Sequence, residues 1–290
     1  MTNGLNLEAS TARSEALASL EKTFRICGIE NPAREARVSL CAASGISPVA
    51  LIVDPREPLG SAASKVQEVA ARRAVGEPLS RIVGKREFWS LSLAVTPHVL
   101  DPRPETETIV EAALSILSDR REDPLRMLDL GVGSGALLCA LLTEFRAARG
   151  IGVDISADAA EVAQGNLQAC GLSLRAEIRV GDWTNGLEGR FDLIVSNPPY
   201  IPTAELAELP REVREFDPWL ALDGGIDGLA AYRRILPESR RLLVPGGWLV
   251  TELGAGQAID VSAIANRCGF TDVAIYHDLA GASRVVAARA

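Results

Sequence analysis

Asn197-Pro198-Pro199-Tyr200 restricts the fold more than any other stretch of this chain. It closes Phe191-Asp192-Leu193-Ile194-Val195-Ser196, a short apolar run that reads as a buried strand. Neither proline can donate to a sheet ladder, and each fixes its own φ, so the strand stops there. The chain must leave in a rigid extended turn that holds the Asn197 carboxamide and the Pro198 carbonyl at the strand's carboxyl end. Open α/β sheets bind ligands at that edge. A planar NH2 group has two donors, and these two acceptors stand on a stiff support. The Tyr200 ring can stack on the substrate plane as an aromatic wall, with no role assigned to its hydroxyl. Pro-Pro alone would explain a strand-terminating turn. Asparagine before it and an aromatic after it point to a site.

The sheet around that strand follows from the order of patterns after Arg126. Strand-like runs at 127–130, 151–154, 176–180, 191–196 and 247–253 alternate with helical patterns at 136–146, 156–170, 228–243 and 257–268. Ser156 is placed to cap the second of those helices. Alternation of this kind gives a parallel sheet with helices on both faces. Runs at 273–276 and 283–288, separated by only a short turn, add an antiparallel strand at the end. The expected fold is α/β: a seven-stranded, Rossmann-like, mostly parallel sheet whose last strand is antiparallel.

Residues 1–77 have a different character. Leu17, Leu20, Phe24 and Ile26 share one helical face, Gly28 is a helix stop, and Asn31-Pro32 a start. Strand signals are nearly absent, so this is a small all-helical domain suited to docking a partner. Residues 81–88 and 91–95 flank Trp89-Ser90 and predict a β-hairpin, taken as the linker over 78–100, with the α/β domain over 101–290. A helix over 105–117 opens from the rigid loop Asp101-Pro102-Arg103-Pro104-Glu105-Thr106-Glu107. Arg72, Arg73, Arg81, Lys85 and Arg86 form a basic cluster, read first as solvated surface and second as a docking patch.

A formal charge of −8 argues against broad affinity for nucleic acid, so no stable nucleic-acid binding is expected. The five cysteines are odd in number with no CxxC pair, and the two histidines are far apart, so neither a disulfide framework nor a metal site is expected. Residues 1–19 lack the apolar core of a signal peptide, and no run is long enough to span a bilayer. A soluble, cytoplasmic monomer is the expectation.

Asp129-Leu130-Gly131-Val132-Gly133-Ser134-Gly135 joins the first strand of the sheet to its first helix. Its glycines let backbone approach a ligand, and Asp154, ending the next strand, can accept hydrogen bonds from ribose hydroxyls. Gly131, Gly133 and Ala136 also satisfy the dinucleotide fingerprint. Asp129 and the third glycine lean towards S-adenosylmethionine (SAM), which is cationic and has no pyrophosphate to neutralise. The Asn-Pro-Pro-Tyr strand end decides for SAM, because hydride transfer has no use for it.

Asn197-Pro198-Pro199-Tyr200 with this glycine loop resembles the amino methyltransferases that act on adenine, guanine and glutamine nitrogens. Glu87-Phe88-Trp89-Ser90-Leu91, Pro102-Arg103-Pro104-Glu105-Thr106-Glu107, Asp223-Gly224-Gly225 with Asp227-Gly228-Leu229, and residues 278–284 narrow this. Together with the helical N-terminal domain they are similar to the release-factor glutamine methyltransferases of PrmC/HemK type, over nearly the whole chain. The resemblance implies that Gly131, Val132, Gly133, Ser134, Gly135 and Asp154 hold SAM, with Asp182 and Trp183 at its adenine. It implies that Asn197 touches both cofactor and substrate. Residues Asn197, Pro198, Pro199 and Tyr200 would receive the glutamine of the Gly-Gly-Gln motif in class I peptide chain release factors. Asn197, Pro198 and Tyr200 are the expected catalytic residues, acting by positioning because the motif holds no base. Val132 replaces a frequent threonine, removing a hydroxyl but leaving the backbone cradle. Asp101 replaces a frequent apolar residue and is expected to make the site entrance more acidic. Two rival readings remain, a methyltransferase for adenine or guanine nitrogens of RNA or DNA and a non-catalytic SAM-binding adaptor.

Overall fold

Side chains along residues 126–130 alternate between two cores, Met127 entering one and Leu128 and Leu130 the other. Residues 193–195 do the same, with Leu193 and Val195 on one face and Ile194 on the opposite one, which Phe191 joins across an irregularity in the strand. A strand apolar on both faces must lie inside a sheet covered on both sides. The computed structural model of the chain describes residues 5–290 and has that arrangement. Residues 1–4, part of the expected 1–77 domain and of the stretch read against a signal peptide, lie outside the described residues.

Two compact units divide at Gly84. The first is helical, built chiefly from Arg13–Ile26, Pro32–Ser44 and Ala63–Ala74. Leu20, Phe24, Leu40 and Val66 are fully buried at its centre. Ser47 caps a short helix, accepting the Ala50 N–H at 3.2 Å. Two members of the expected basic cluster are paired within this unit: Arg72 is bonded to Glu77 and Arg73 to Glu35, each at 2.8 Å.

The second unit carries nine strands among the described residues. A hairpin, β1 (Lys85–Phe88) and β2 (Leu91–Ala94), precedes β3 (Arg126–Leu130), β4 (Arg149–Asp154), β5 (Ala176–Val180), β6 (Phe191–Ser196), β7 (Leu243–Glu252), β8 (Thr271–His277) and β9 (Ser283–Arg289). The last seven form one sheet in the order β5-β4-β3-β6-β7-β9-β8. Pairing is parallel from β5 to β7, and β9 is antiparallel to both its neighbours. The final strand thus inserts between β7 and β8, leaving β8 at the edge.

The hairpin is not a linker, which corrects the expected 78–100 segment. Leu79–Val83 is a short helix stopped by Gly84, so the strand expected over 81–88 begins only at Lys85. Trp89 and Ser90 have φ of 50° and 61°, the left-handed pair of a two-residue hairpin turn. That turn is tied into the second unit, with Trp89 N–H donating to Glu107 and its indole N–H to Glu144, both at 2.8 Å. Phe88 and Leu93 are buried in the core of the same unit.

Candidate active site

The loops at the carboxyl ends of β3 to β6 enclose a cavity of about 580 Å³, a size suited to a small organic ligand. Gly131, Val132, Gly133 and Ser134 form one part of its wall, Asp154 the next, then Asp182 and Trp183, then Asn197 and Pro199. Nine of the twelve residues expected at the site therefore meet there, although they span residues 131–199.

Asp154 shapes the loop before any ligand is considered. Its Oδ2 accepts the Gly133 N–H at 2.8 Å and its Oδ1 the Ser156 N–H at 2.9 Å. Each oxygen retains lone-pair capacity for a hydroxyl. Trp183 faces the loop from the other side, its ring 3.5 Å from where a Gly131 Cβ would stand. Asp182 is paired with Arg234 at 2.6 Å, and both line the cavity. Val132 fills the space over Gly152, where its Cγ2 would lie 2.7 Å from an added Cβ. Gly135 is absent from the wall. It caps the helix Ala136–Glu144 at φ 80°, and a Cβ there would come within 3.3 Å of the Ala163 Cα. Its smallness serves helix packing, not ligand approach.

Asp129, on the strand feeding the loop, is buried, with no side-chain partner on either carboxylate oxygen and only the Leu138 backbone N–H favouring its charge. Burial, then the charge of Asp154, pushes its carboxyl up from 3.8 to about 7. A buried acid this sparsely bonded, behind the glycine loop, suits a cationic ligand nearby. Because the folded state holds this proton more tightly than the unfolded chain, stability is lost as pH rises from the ordinary carboxylate range towards 7. Asp129→Asn removes that loss. Its stability relative to the parent should rise by up to about 4 kcal/mol between pH 4 and pH 8. Urea unfolding without ligand at both pH values checks this, and a constant difference would count against it.

At the opposite wall, Asn197 Nδ2 donates to Thr106 Oγ1 at 3.1 Å. This fixes the carboxamide and leaves its Oδ1 available as an acceptor. Pro198 and Tyr200 do not line the cavity, and Tyr200 instead directs its hydroxyl to Glu252 Oε1 at 3.2 Å. The turn is braced from behind: Gln257 Nε2 donates to Tyr200 O at 2.9 Å, and Gly224 N–H to Ile201 O at 2.8 Å. A Cβ on Gly224 would stand 2.8 Å from the Tyr200 Cα and carbonyl carbon. Gly224→Ala must therefore displace the turn. It should cost about 1–3 kcal/mol in stability and lower turnover, with ligand affinity at the glycine loop retained. Denaturant melts beside calorimetric titration check it, and normal turnover would remove Gly224 as the brace.

Asp101 does not acidify the entrance as expected. It is 2% exposed, with Arg86 and Arg103 each 3.8 Å from its carboxylate. Thr106, Trp219, Leu220 and Arg234 line the cavity although sequence reasoning did not select them. Thr106 stood within a singled-out stretch, whereas the loop carrying Trp219 has no local signal beyond the glycines that follow it.

The PrmC N-terminal domain family matches residues 15–84, and the family described as methyltransferase small domain matches 110–209. A release factor glutamine methyltransferase of Rhodospirillum rubrum is 46% identical over 92% of this chain and 81% of its own. One from Caulobacter vibrioides is 43% identical over 94% of each. Among solved structures, the hMettl16 catalytic domain in complex with the MAT2A 3'UTR hairpin 6 shares the fold at a TM-score of 0.58. It is 16% identical, covering 76% of this chain and 81% of that one. The sheet, the glycine loop and these matches define a SAM-dependent methyltransferase. The chain belongs to the release factor glutamine methyltransferase family. No described helix is long and apolar enough to cross a membrane.

Proposed function

We propose that this protein transfers a methyl group from SAM to the side-chain amide nitrogen of the Gly-Gly-Gln glutamine in class I peptide chain release factors, modulating translation termination. The observation that carries the reading is the Asn197 turn facing the glycine loop across one cavity, in a chain akin to such enzymes over nine-tenths of its length. When bound, SAM supplies an electrophilic methyl group on a sulfonium sulfur. Gly131, Val132, Gly133 and Ser134 would hold it with Asp154, Asp182 and Trp183, and the buried Asp129 carboxyl behind the loop fits its positive charge.

The chain's own contribution is orientation. A carboxamide nitrogen is a poor nucleophile because its lone pair is delocalised into the carbonyl. Asn197 Oδ1, fixed through Thr106, accepts one substrate N–H, and the other falls to the carbonyl of Pro198, which lies between the wall residues Asn197 and Pro199 although it does not itself line the cavity. Holding both fixes the plane of the amide and the direction its nitrogen faces. Pro199 closes the wall beside them. Tyr200 serves from behind this turn, through its ring and its bond to Glu252. The helical unit ending at Gly84 docks the protein substrate, and the enzyme works as a cytoplasmic monomer without stable nucleic-acid binding.

Methyl transfer from labelled SAM to a purified class I release factor tests the reading, with a factor whose Gly-Gly-Gln glutamine is alanine as control. Label on the unaltered factor alone is expected. No label on either, from protein shown to bind SAM, would overturn it.

A further inference from the structure

Glu252 ends β7 at 2% exposure. β6 and β7 run parallel with Ser196 beside Thr251, so Asn197 and Glu252 stand one step further along adjacent strands. Glu252 Oε1 accepts the Tyr200 hydroxyl at 3.2 Å, while Oε2 has no hydrogen-bond partner. The Thr106 hydroxyl, which receives the Asn197 carboxamide, faces the same carboxylate. Behind it, the Glu252 carbonyl accepts the hydroxyl of the buried Tyr232 at 2.8 Å, so the strand end is itself anchored. Arg284 and Glu105 are the charged groups that act on the carboxylate.

We propose that Glu252 is a positioning residue that clamps both ends of the substrate-facing turn, Tyr200 directly and Asn197 through Thr106, and so sets the orientation in which the acceptor amide is held. This rests on the reading of that turn as the acceptor site. An apolar residue would fill the same space without desolvating a charge. Burial raises the Glu252 carboxyl from 4.5 to about 7, against the opposing pull of Thr106, Tyr200 and Arg284. A carboxyl placed there at such a cost is explained by the two hydroxyls it orders. It gives the Tyr200 hydroxyl, which never reaches the cavity wall, a purpose: it fixes the ring and the backbone that carries Asn197 and Pro198.

The test is a double-mutant cycle of Glu252→Ala, Tyr200→Phe and the pair, with Glu252→Gln as the conservative variant. The full chain is assayed with SAM and a class I release factor, and by urea unfolding without either. Glu252→Ala should lower kcat about tenfold and Tyr200→Phe about threefold, and the pair should fall no further than Glu252→Ala alone. The Kd for SAM should stay within about twofold throughout, because the glycine loop is untouched. Glu252→Gln should recover most of the lost kcat, since its amide oxygen still accepts from Tyr200. Multiplying losses, a SAM affinity that falls in step with kcat, or a glutamine variant no better than alanine would overturn the clamp. If the parent enzyme binds SAM but labels no factor, the functional reading fails on its own. Unfolding then decides the clamp, with less-than-additive destabilisation supporting it and additive destabilisation overturning it.

Discussion

Asn197→Ala should abolish most methyl transfer while weakening SAM binding far less. The side chain is held by Thr106 at 3.1 Å with its carbonyl oxygen left over, so truncation removes a pre-aimed acceptor and frees the Thr106 hydroxyl as well. Loss of one preorganised group at a reacting centre typically costs about a hundredfold or more in kcat. A ground-state hydrogen bond alone would account for only about 1–3 kcal/mol, expressed partly in KM. The two origins separate cleanly, because a contact that strengthens only as the bond forms lowers kcat and kcat/KM together. Single-turnover transfer to a release factor, beside calorimetric SAM binding, is the measurement. Undiminished turnover would mean that Asn197 does not orient the acceptor.

The second large effect is on the cofactor. Asp154→Ala removes two charge-assisted hydrogen bonds, to the N–H groups of Gly133 and Ser156, and also the proposed acceptor for the ribose. Two such bonds to an ionised acceptor are worth about 1.5–3 kcal/mol each before the loop relaxes. A ten- to hundredfold rise in the SAM Kd is about 1.4–2.7 kcal/mol, within that allowance. Turnover at saturating SAM should fall much less. Asp154→Asn, with one oxygen still able to accept, should lie between. Equilibrium binding measurements with all three proteins decide it, and an unchanged Kd for Asp154→Ala would take this residue out of the site.

Much of the sheet was legible because its signals are local. The seven runs read as strands are β3 to β9, with ends shifted by a few residues, and Ser156 caps its helix by accepting the Ala159 N–H. Period and capping act between neighbours, and neighbours are what a sequence displays. The hairpin shows where that stops. Trp89-Ser90 was recognisable as its turn, yet Ile82 and Val83 suited a strand equally well and lie in a helix that Gly84 ends. Whether the hairpin linked two units or belonged to one depended on Phe88 and Leu93, whose burial partners lie far along the chain. Gly135 looked like part of a ligand cradle for the same reason: its true neighbour, Ala163, is on another helix.

The sequence by itself determined the alternation of strand and helix, the glycine loop, the acid ending the next strand and the proline-locked turn. Each of those follows from dihedral limits and side-chain period within a few residues. The tertiary structure alone decided the insertion of β9 beside β7, the burial of Asp101 between two guanidiniums, and the network joining Asn197, Thr106, Tyr200 and Glu252. Thr106 and Asn197 are 91 residues apart, and Tyr200 and Glu252 are 52 apart. No local pattern marks an acid at a strand end as the partner of a hydroxyl on a neighbouring loop. Parallel strands of set register bring such residues together, and their desolvation in a shared core is what makes the partnership matter.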